Sequence, residues 1–252
     1  MSTDYLSYSR INCFLTCPLK YRFCYVDEIA PEFTPASLAF GSAIHEAAAA
    51  YFQSRLEAEP LKPDQMVHVY REAWESREVD VRFFNGDNAA TLEDKARKML
   101  SVFHESQDPT ARILGVEEFF AVNLGKGIPP LHGYIDLIEQ SGDGRITIVD
   151  LKTAAKKPTD FQVHNNLQLT AYSIGATALG FSTDDLSFRL DVVLKTKNPE
   201  LVRMETIRTD RNRRRFMRVV HEVWKGIHQG IAFPKDDWHC VQCAYAQACK
   251  DL

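Results

Sequence analysis

The chain has 252 residues, of which 45% are hydrophobic and 25% charged, with 30 Lys and Arg against 34 Asp and Glu for a net charge of −4. That balance suits a globular protein able to bury a core of its own, with no crosslink needed to hold it. It excludes a disordered polyelectrolyte and a protein that coats nucleic acid by bulk charge, while leaving room for a local basic groove. No run approaches the roughly 20 apolar residues that span a bilayer. The opening Met1-Ser-Thr-Asp-Tyr5 lacks the basic-then-apolar pattern of a secretory signal, so a cytoplasmic protein without membrane contact is expected.

In chain order, residues 6–26 predict one short helix entered from a serine cap, Ser7 or Ser9. A loop holding Pro31 and Pro35 leads to a helix over about 41–56, and further helical stretches are expected near 63–83 and 91–106. In the last of these Leu92, Ala96, Met99, Leu100 and Phe103 keep helical spacing. The pattern then changes. Residues 116–124, 131–140 and 145–152 are short, β-rich and bounded by Gly125-Lys-Gly127 and Ser141-Gly-Asp-Gly144, which makes a three-strand meander. A helix over 160–179, strands over 186–196 and 201–208 around Asn198-Pro199, and a last helix over 210–229 complete the chain before its cysteine-rich end. This order reads as an α/β core with an N-terminal helical lobe and a C-terminal cap.

Chemistry concentrates in Ile148-Val-Asp-Leu-Lys-Thr153, where Asp150 and Lys152 are two apart and so project from one face of a strand. The preceding strand carries Gly133-Tyr-Ile-Asp-Leu-Ile138, a single charge in an apolar run. Counted from a hairpin centred on Asp143, Asp136 lies seven residues before and Asp150 seven after, which makes them cross-strand neighbours with Cβ atoms about 5 Å apart. Two carboxylates that close repel unless a proton or a cation sits between them. Hard oxygen ligands suit Mg²⁺ or Mn²⁺, and such an ion would polarise a phosphate and lower the pKa of a bound water. Lys152 would position or activate that water, or stabilise charge on phosphorus. A lone D-x-K also describes a structural ion pair on a surface hairpin; the facing Asp136 is what favours the metal. His45, in Phe40-Gly-Ser-Ala-Ile-His-Glu46 within the first turns of a helix opened by Gly41, is a candidate third ligand, although a helical histidine is more often a packed or exposed residue. Gln168 and Tyr172 share a face of the following helix and can donate to phosphate oxygens; an amphipathic face that happens to hold both is the plainer alternative.

The six cysteines fall into two groups, Cys13, Cys17 and Cys24 near the start and Cys240, Cys243 and Cys249 near the end. Disulfides are rare in the cytosol, and core cysteines would not avoid the whole middle of the chain, so metal ligands drawn from both ends are the better account. Cys240-Val-Gln-Cys243-Ala-Tyr-Ala-Gln-Ala-Cys249 suits zinc or an iron–sulfur cluster. Zinc could take His239 as well, and the spacing does not separate the two. The dense positive run is Arg208-Thr-Asp-Arg-Asn-Arg-Arg-Arg215 with Arg218. Phosphate contacts there would be salt-dependent, solvated helix arginines being the plainer reading, and Lys156 and Lys157 are better placed to meet a DNA strand. Tyr21, Phe23 and Tyr25 could stack on bases, with buried packing their commoner use.

Taken in order, these motifs resemble the RecB-like branch of the PD-(D/E)xK nuclease superfamily. Ser7-Tyr-Ser-Arg10 with Cys17-Pro18 is similar to its opening motif, Gly41-Ser-Ala-Ile-His45 to its histidine motif and Gly133-Tyr-Ile-Asp136 to its first carboxylate motif. Asp150-Leu-Lys152 is similar to the D-x-K and Gln168-Leu-Thr-Ala-Tyr172 to the Q-x-x-x-Y, so the resemblance spans nearly the whole chain. It implies a restriction-endonuclease-like α/β fold, a mixed central sheet flanked by helices, as a single domain over 1–252: a helical lobe over 1–110, the catalytic sheet and helix over 111–208, and a helix with a cysteine-cluster cap over 209–252. It implies a metal site of His45, Asp136, Asp150 and the Leu151 backbone carbonyl, with Asp136, Asp150 and Lys152 catalytic and with Gln168 and Tyr172 binding DNA. Glu118, or equally Glu117, would be an outer acid. Isoleucine stands before Asp136 in place of the superfamily's nominal proline, and leucine follows it where the branch often has arginine. No ligand is lost by this, but the grip on substrate is weakened.

The iron–sulfur-containing subset is similar to AddAB-type nuclease domains and CRISPR-associated RecB-like exonucleases. It joins one N-terminal cysteine to such a terminal trio around a [4Fe–4S] cluster. Cys17 matches, with Cys240, Cys243 and Cys249, and Cys13 one helical turn away is the alternative. The implied function is a Mg²⁺- or Mn²⁺-dependent DNA exonuclease acting on single-stranded or end-containing DNA, in repair, recombination, or phage- or CRISPR-related processing. Without a G-x-x-x-x-G-K-[ST] stretch, any helicase or integrase would be a separate subunit. The alternative is a DNA-binding partner of such a complex with weak or no turnover.

Overall fold

In the computed structural model of the chain, residues 4–77, 79–84, 86–182 and 186–251 are described. The N-terminal segment makes two helices in place of the one expected. α1 (Tyr8–Thr16) is capped by Ser7, whose hydroxyl accepts from the Arg10 amide, and it stops at Cys17 because Pro18 follows. A residue before proline is pushed to extended backbone; Cys17 takes φ −157° and ψ 109°, and Pro18 opens α2 (Pro18–Tyr25). The short strand β1 (Thr34–Pro35) then feeds α3 (Ala36–Leu56), which begins before the expected residue 41. Gly41 therefore lies inside the helix and His45 near its middle, not at its start. The early turns carry Ala36, Ala39, Phe40, Ala43, Ile44, Ala47 and Ala48, all buried, because α3 is packed between the sheet and two further helices, α4 (Pro63–Glu75) and α5 (Ala89–Glu105). The helix expected over 63–83 ends at Glu75, and Val81–Arg82 forms β2, paired in parallel with β1.

β3 (Arg112–Val122), β4 (Leu131–Gln140) and β5 (Ile146–Ala154) form the expected antiparallel meander. β6 (Leu186–Leu194) runs parallel to β5, and β7 (Leu201–Thr206) antiparallel to β6, giving a mixed sheet in the order β3-β4-β5-β6-β7. A parallel step needs a crossover, here made by α6 (Asp160–His164) and α7 (Leu167–Ala178). These divide the helix expected over 160–179, since Asn166 leaves the helix and caps α7 by accepting from the Leu169 amide. α8 (Asp210–His228) follows the sheet, and a 3-10 turn (Trp238–Gln242) and α9 (Ala246–Lys250) close the described chain.

The architecture is α/β, with a helical layer on each face of the sheet. Ile135, Ile148, Phe188 and Leu190 pack with Ile11, Leu169, Phe216 and Val220 of α1, α7 and α8. On the other face Ile113, Leu137, Val149, Leu151 and Val193 pack with α3, α4 and α5. A smaller core of Cys17, Leu19, Phe23, Phe33, Ala244 and Tyr245 joins α2 to the C-terminal segment. Among the described residues no helix is long and apolar enough to cross a membrane.

Candidate active site

β4 and β5 pair from Gln140↔Ile146 to Leu137↔Val149, and extending that register sets Asp136 opposite Asp150, as the count from Asp143 predicts. The ladder stops one pair short of them. There the Leu151 amide donates to Asp136 Oδ2 at 2.8 Å in place of a backbone partner, and β5 continues paired to β6. The site lies in this fork. Asp150 is wholly buried, and Lys152, on the same strand face, donates from Nζ to Asp150 Oδ1 at 2.7 Å.

The β3–β4 pair has an unusual step beside the fork. Ile135 and Leu137 have the same parity yet pack on opposite faces of the sheet, and so do Val116 and Phe120 across from them. The change of face falls at Asp136 and Glu117, which the ladder skips between Val116↔Leu137 and Glu118↔Ile135; Glu117 has φ 51°. The register is the same on either side of this step, so the strands stay paired while the side chains change face. Asp136 thereby reaches into both layers. Its Oδ1 accepts from the Tyr172 hydroxyl of α7 at 2.7 Å, and its Oδ2 lies 3.3 Å from His45 Nε2 of α3. His45 Nε2 is also 2.6 Å from the Leu151 carbonyl oxygen, and Nδ1 is 3.9 Å from Glu117.

This donor set fits a divalent cation. His45, Glu117 and Asp136 each offer a ligand atom within 4.8 Å of the others, beside a cavity of about 10 Å³. Among the described residues Asp150 Oδ2 is buried with no hydrogen-bond partner, which costs about 1–3 kcal/mol or more for a charged oxygen. The electrostatics agree. Burial pushes the Asp150 carboxyl up to about 6, with Lys152 pulling it down and Asp136 pushing it further up. Burial works against a charged His45 ring, but Glu117, Asp136 and the Leu151 carbonyl outweigh it and raise the imidazole to about 9. Lys152 is likewise held above its ordinary value: burial opposes its charge, and Asp150 and Asp136 prevail. Burial and the neighbouring carboxylates push Tyr172 well above the usual phenol range, so it stays a neutral donor.

Of the expected residues, His45, Asp136 and the Leu151 carbonyl lie together at the fork, and Asp150 and Lys152 lie beside them as an ion pair. Among the described residues the ligand atoms within 4.8 Å of one another are those of His45, Asp136 and Glu117 and do not include Asp150. Gln168 and Tyr172 are arranged otherwise than as two free donors: Gln168 Nε2 donates to the Tyr172 hydroxyl at 2.9 Å, and that hydroxyl is spent on Asp136. Glu117 and not Glu118 faces His45; Glu118 folds back over Gly115, where a Cβ would stand 2.4 Å from its Cγ. Sequence reasoning missed Tyr8, whose phenol is raised by burial and has Lys152 and Asp150 as its charged neighbours. The one signal for it is its place in Ser7-Tyr-Ser-Arg10.

Cys17, Cys240, Cys243 and Cys249 line a second cavity of about 210 Å³, with Lys20, Lys235, Lys250 and His239 also at its walls. Cys13 packs against the main core, its thiol pushed up to about 12 by burial, and Cys24 lies by Tyr25 and Tyr245. Among the basic residues Arg208 is buried and donates to the Val163 carbonyl and the Thr206 hydroxyl. It serves the fold, while Arg211, Arg214, Arg215 and Arg218 stay exposed on α8. Tyr21 and Phe23 are buried.

Residues 5–250 match the family model of the PD-(D/E)XK nuclease superfamily. Among solved structures, a Eubacterium rectale protein proposed to be an exonuclease superposes with a TM-score of 0.60 over 98% of this chain and 88% of its own, at 13% identity, a likeness of fold alone. The protein SSO0001 gives a TM-score of 0.41 at 12% identity, over 93% of this chain and 92% of its own. No curated protein matches the chain in sequence.

Proposed function

This chain belongs to the PD-(D/E)XK nuclease superfamily, and on that premise we propose that it is a metal-dependent deoxyribonuclease, an exonuclease that trims single-stranded DNA ends. The observation that carries this reading is Asp150, a fully buried carboxylate with one oxygen on Lys152 and the other, among the described residues, without a partner. A merely structural ion pair would satisfy both. His45, Asp136, Asp150 and the Leu151 carbonyl would hold Mg²⁺ or Mn²⁺; of these His45 and Asp136 already bring ligand atoms together, with Glu117 as the third member of that group. An ion bound there would polarise the scissile phosphate and acidify a water. Asp150 steers the Lys152 ammonium toward the place where charge develops on phosphorus. Tyr172 ties down Asp136 Oδ1 and leaves Oδ2 facing the fork, with Gln168 fixing the direction of the tyrosine hydroxyl. We read Gln168 as the member of the pair nearer the DNA.

The cysteine cavity supports a place in the RecB-like, iron–sulfur-containing branch. Four thiolates at about 2.3 Å around a zinc ion stand close together, whereas these four are spread over the walls of a cavity of about 210 Å³ that Leu19, Phe23, Pro234 and Tyr245 also line. Cys17, Cys240, Cys243 and Cys249 would carry a [4Fe–4S] cluster, with Lys20, Lys235 and Lys250 outweighing the Asp236 carboxylate of the lining and offsetting the cluster's negative charge. We read residues 1–252 as one nuclease domain.

Digestion of end-labelled single strands with Mn²⁺ tests the site. Asp150→Ala and Lys152→Ala should each slow cleavage about a hundredfold or more. Equal rates for wild type and both variants would sink the assignment.

A further inference from the structure

Beside the fork lies a concavity of about 300 Å³. Tyr172 is common to both: its hydroxyl holds Asp136, and its ring lines the second groove. Tyr8 also lines the groove and has Lys152 and Asp150 as its charged neighbours. The outer wall is aromatic. Tyr5 and His132 are stacked with centroids 4.7 Å apart and planes 10° from parallel. Phe119 meets His132 at 5.5 Å and Tyr134 at 5.2 Å. The Arg10 guanidinium sits 4.2 Å from the Tyr5 ring centre and donates to the Tyr5 carbonyl, so this wall is braced from behind.

Tyr134 is 56% exposed and Phe119 46%. Rings left in water around a formed groove mark a binding surface rather than core. The lining also limits what binds. Ser7, Ser9 and Gln168 bring neutral donors and acceptors, and among the described residues no lysine or arginine lines the groove. A seat for phosphate would present fixed positive charge; this one presents π-faces and amide or hydroxyl groups, the chemistry that takes a nucleobase. Its volume, at the small end of ligand sites, suits one base with its sugar.

We propose that this groove is a nucleobase subsite, which takes an unpaired base next to the phosphate held at the fork and stacks it on the exposed ring of Tyr134, beside the closed Tyr5–His132 pair. The inference rests on the nuclease reading and deepens it. A base must leave its duplex to enter a groove already walled by rings, so the subsite selects single strands. Every base has a π-face, so the choice of base is loose.

The test uses the whole protein in EDTA with single strands carrying 2-aminopurine at successive positions from one end. Stacking quenches the fluorophore, and wild type should quench it at one or two positions. Tyr134→Ala should lose the quench and bind about tenfold more weakly, and Tyr134→Phe should restore both. In a second arm with Mn²⁺, a single abasic sugar should stall wild-type cleavage about tenfold, while Tyr134→Ala cuts intact and abasic strands at one slow rate. Binding without quench, or Tyr134→Ala indistinguishable from wild type in both arms, overturns the subsite even if cleavage still needs Asp150. Quench that depends on Tyr134 in a protein that cuts no DNA would instead leave the subsite standing and remove the nuclease reading.

Discussion

At the scale of the residue, Asp150 and His45 make stability and metal affinity run in opposite directions with pH. A buried carboxyl whose folded value is about 6 holds its proton better in the fold than in the unfolded chain, where the value is about 4. It therefore favours the metal-free fold below pH about 4, and that advantage is lost as pH rises through 6. His45, raised to about 9, stabilises below its unfolded value of about 6.5 and loses this as pH rises through 9. Both losses fall between pH 4 and 9, and both deprotonations release ligand atoms. The rise in melting temperature on adding Mn²⁺ should thus be larger at pH 8 than at pH 5.5, by several degrees; an equal shift at both would count against a cation among these groups. Asp150→Asn should abolish the Mn²⁺ response, since it removes the buried charge that a cation would meet.

At the scale of the element, the site is supported by a ring wedged between two glycines. A Cβ on Gly133 would come within 2.5 Å of the Phe120 ring, and one on Gly175 within 2.4 Å, from β4 and α7 respectively. Phe120 is buried and held by both backbones, so it cannot retreat from either. In an open helix Gly175→Ala would gain about 1 kcal/mol from propensity; here the overpacking cost of about 1–3 kcal/mol should win. Denaturant unfolding should show a lower midpoint for Gly175→Ala, and a stabilised variant would mean that Phe120 yields after all. The same wedge explains where the helix divides: α7 must restart at its Asn166 cap to bring Gly175 against Phe120 and Tyr172 against Asp136. Periodicity carries no trace of that demand, so one unbroken helix was the natural expectation over 160–179.

At the scale of the whole molecule, the cysteine cavity spans the chain from α2 to the segment around α9. A cluster there would close a loop of nearly the full chain, and loops that long remove on the order of 5 kcal/mol of unfolded-state entropy in the crosslink model. Anaerobically purified protein should be brown. Cys17→Ser should lose iron and become susceptible to proteolysis in its C-terminal segment, while Cys13→Ser, whose thiol is packed in the core, should retain iron. Colourless protein with stoichiometric zinc would overturn the cluster.

The sequence alone determined whatever one hydrogen-bonded ladder or one helical turn could carry. The period of two set Asp150 and Lys152 on a common face, and the short Ser141–Arg145 turn fixed the register that aligns Asp136 with Asp150. The meander and the edges of α5 were legible for the same reason, since each rests on near neighbours and on a single buried face. α3 was not, because it is buried on several sides and its alanines leave no periodic edge to mark a start. Only the tertiary structure brought His45 to the Leu151 carbonyl, Tyr8 to Lys152, and Glu117 in place of Glu118 to the fork. Those contacts join two helical layers through a kink in paired strands, and their positions follow from packing on both faces of the sheet at once, a sum that no local spacing encodes.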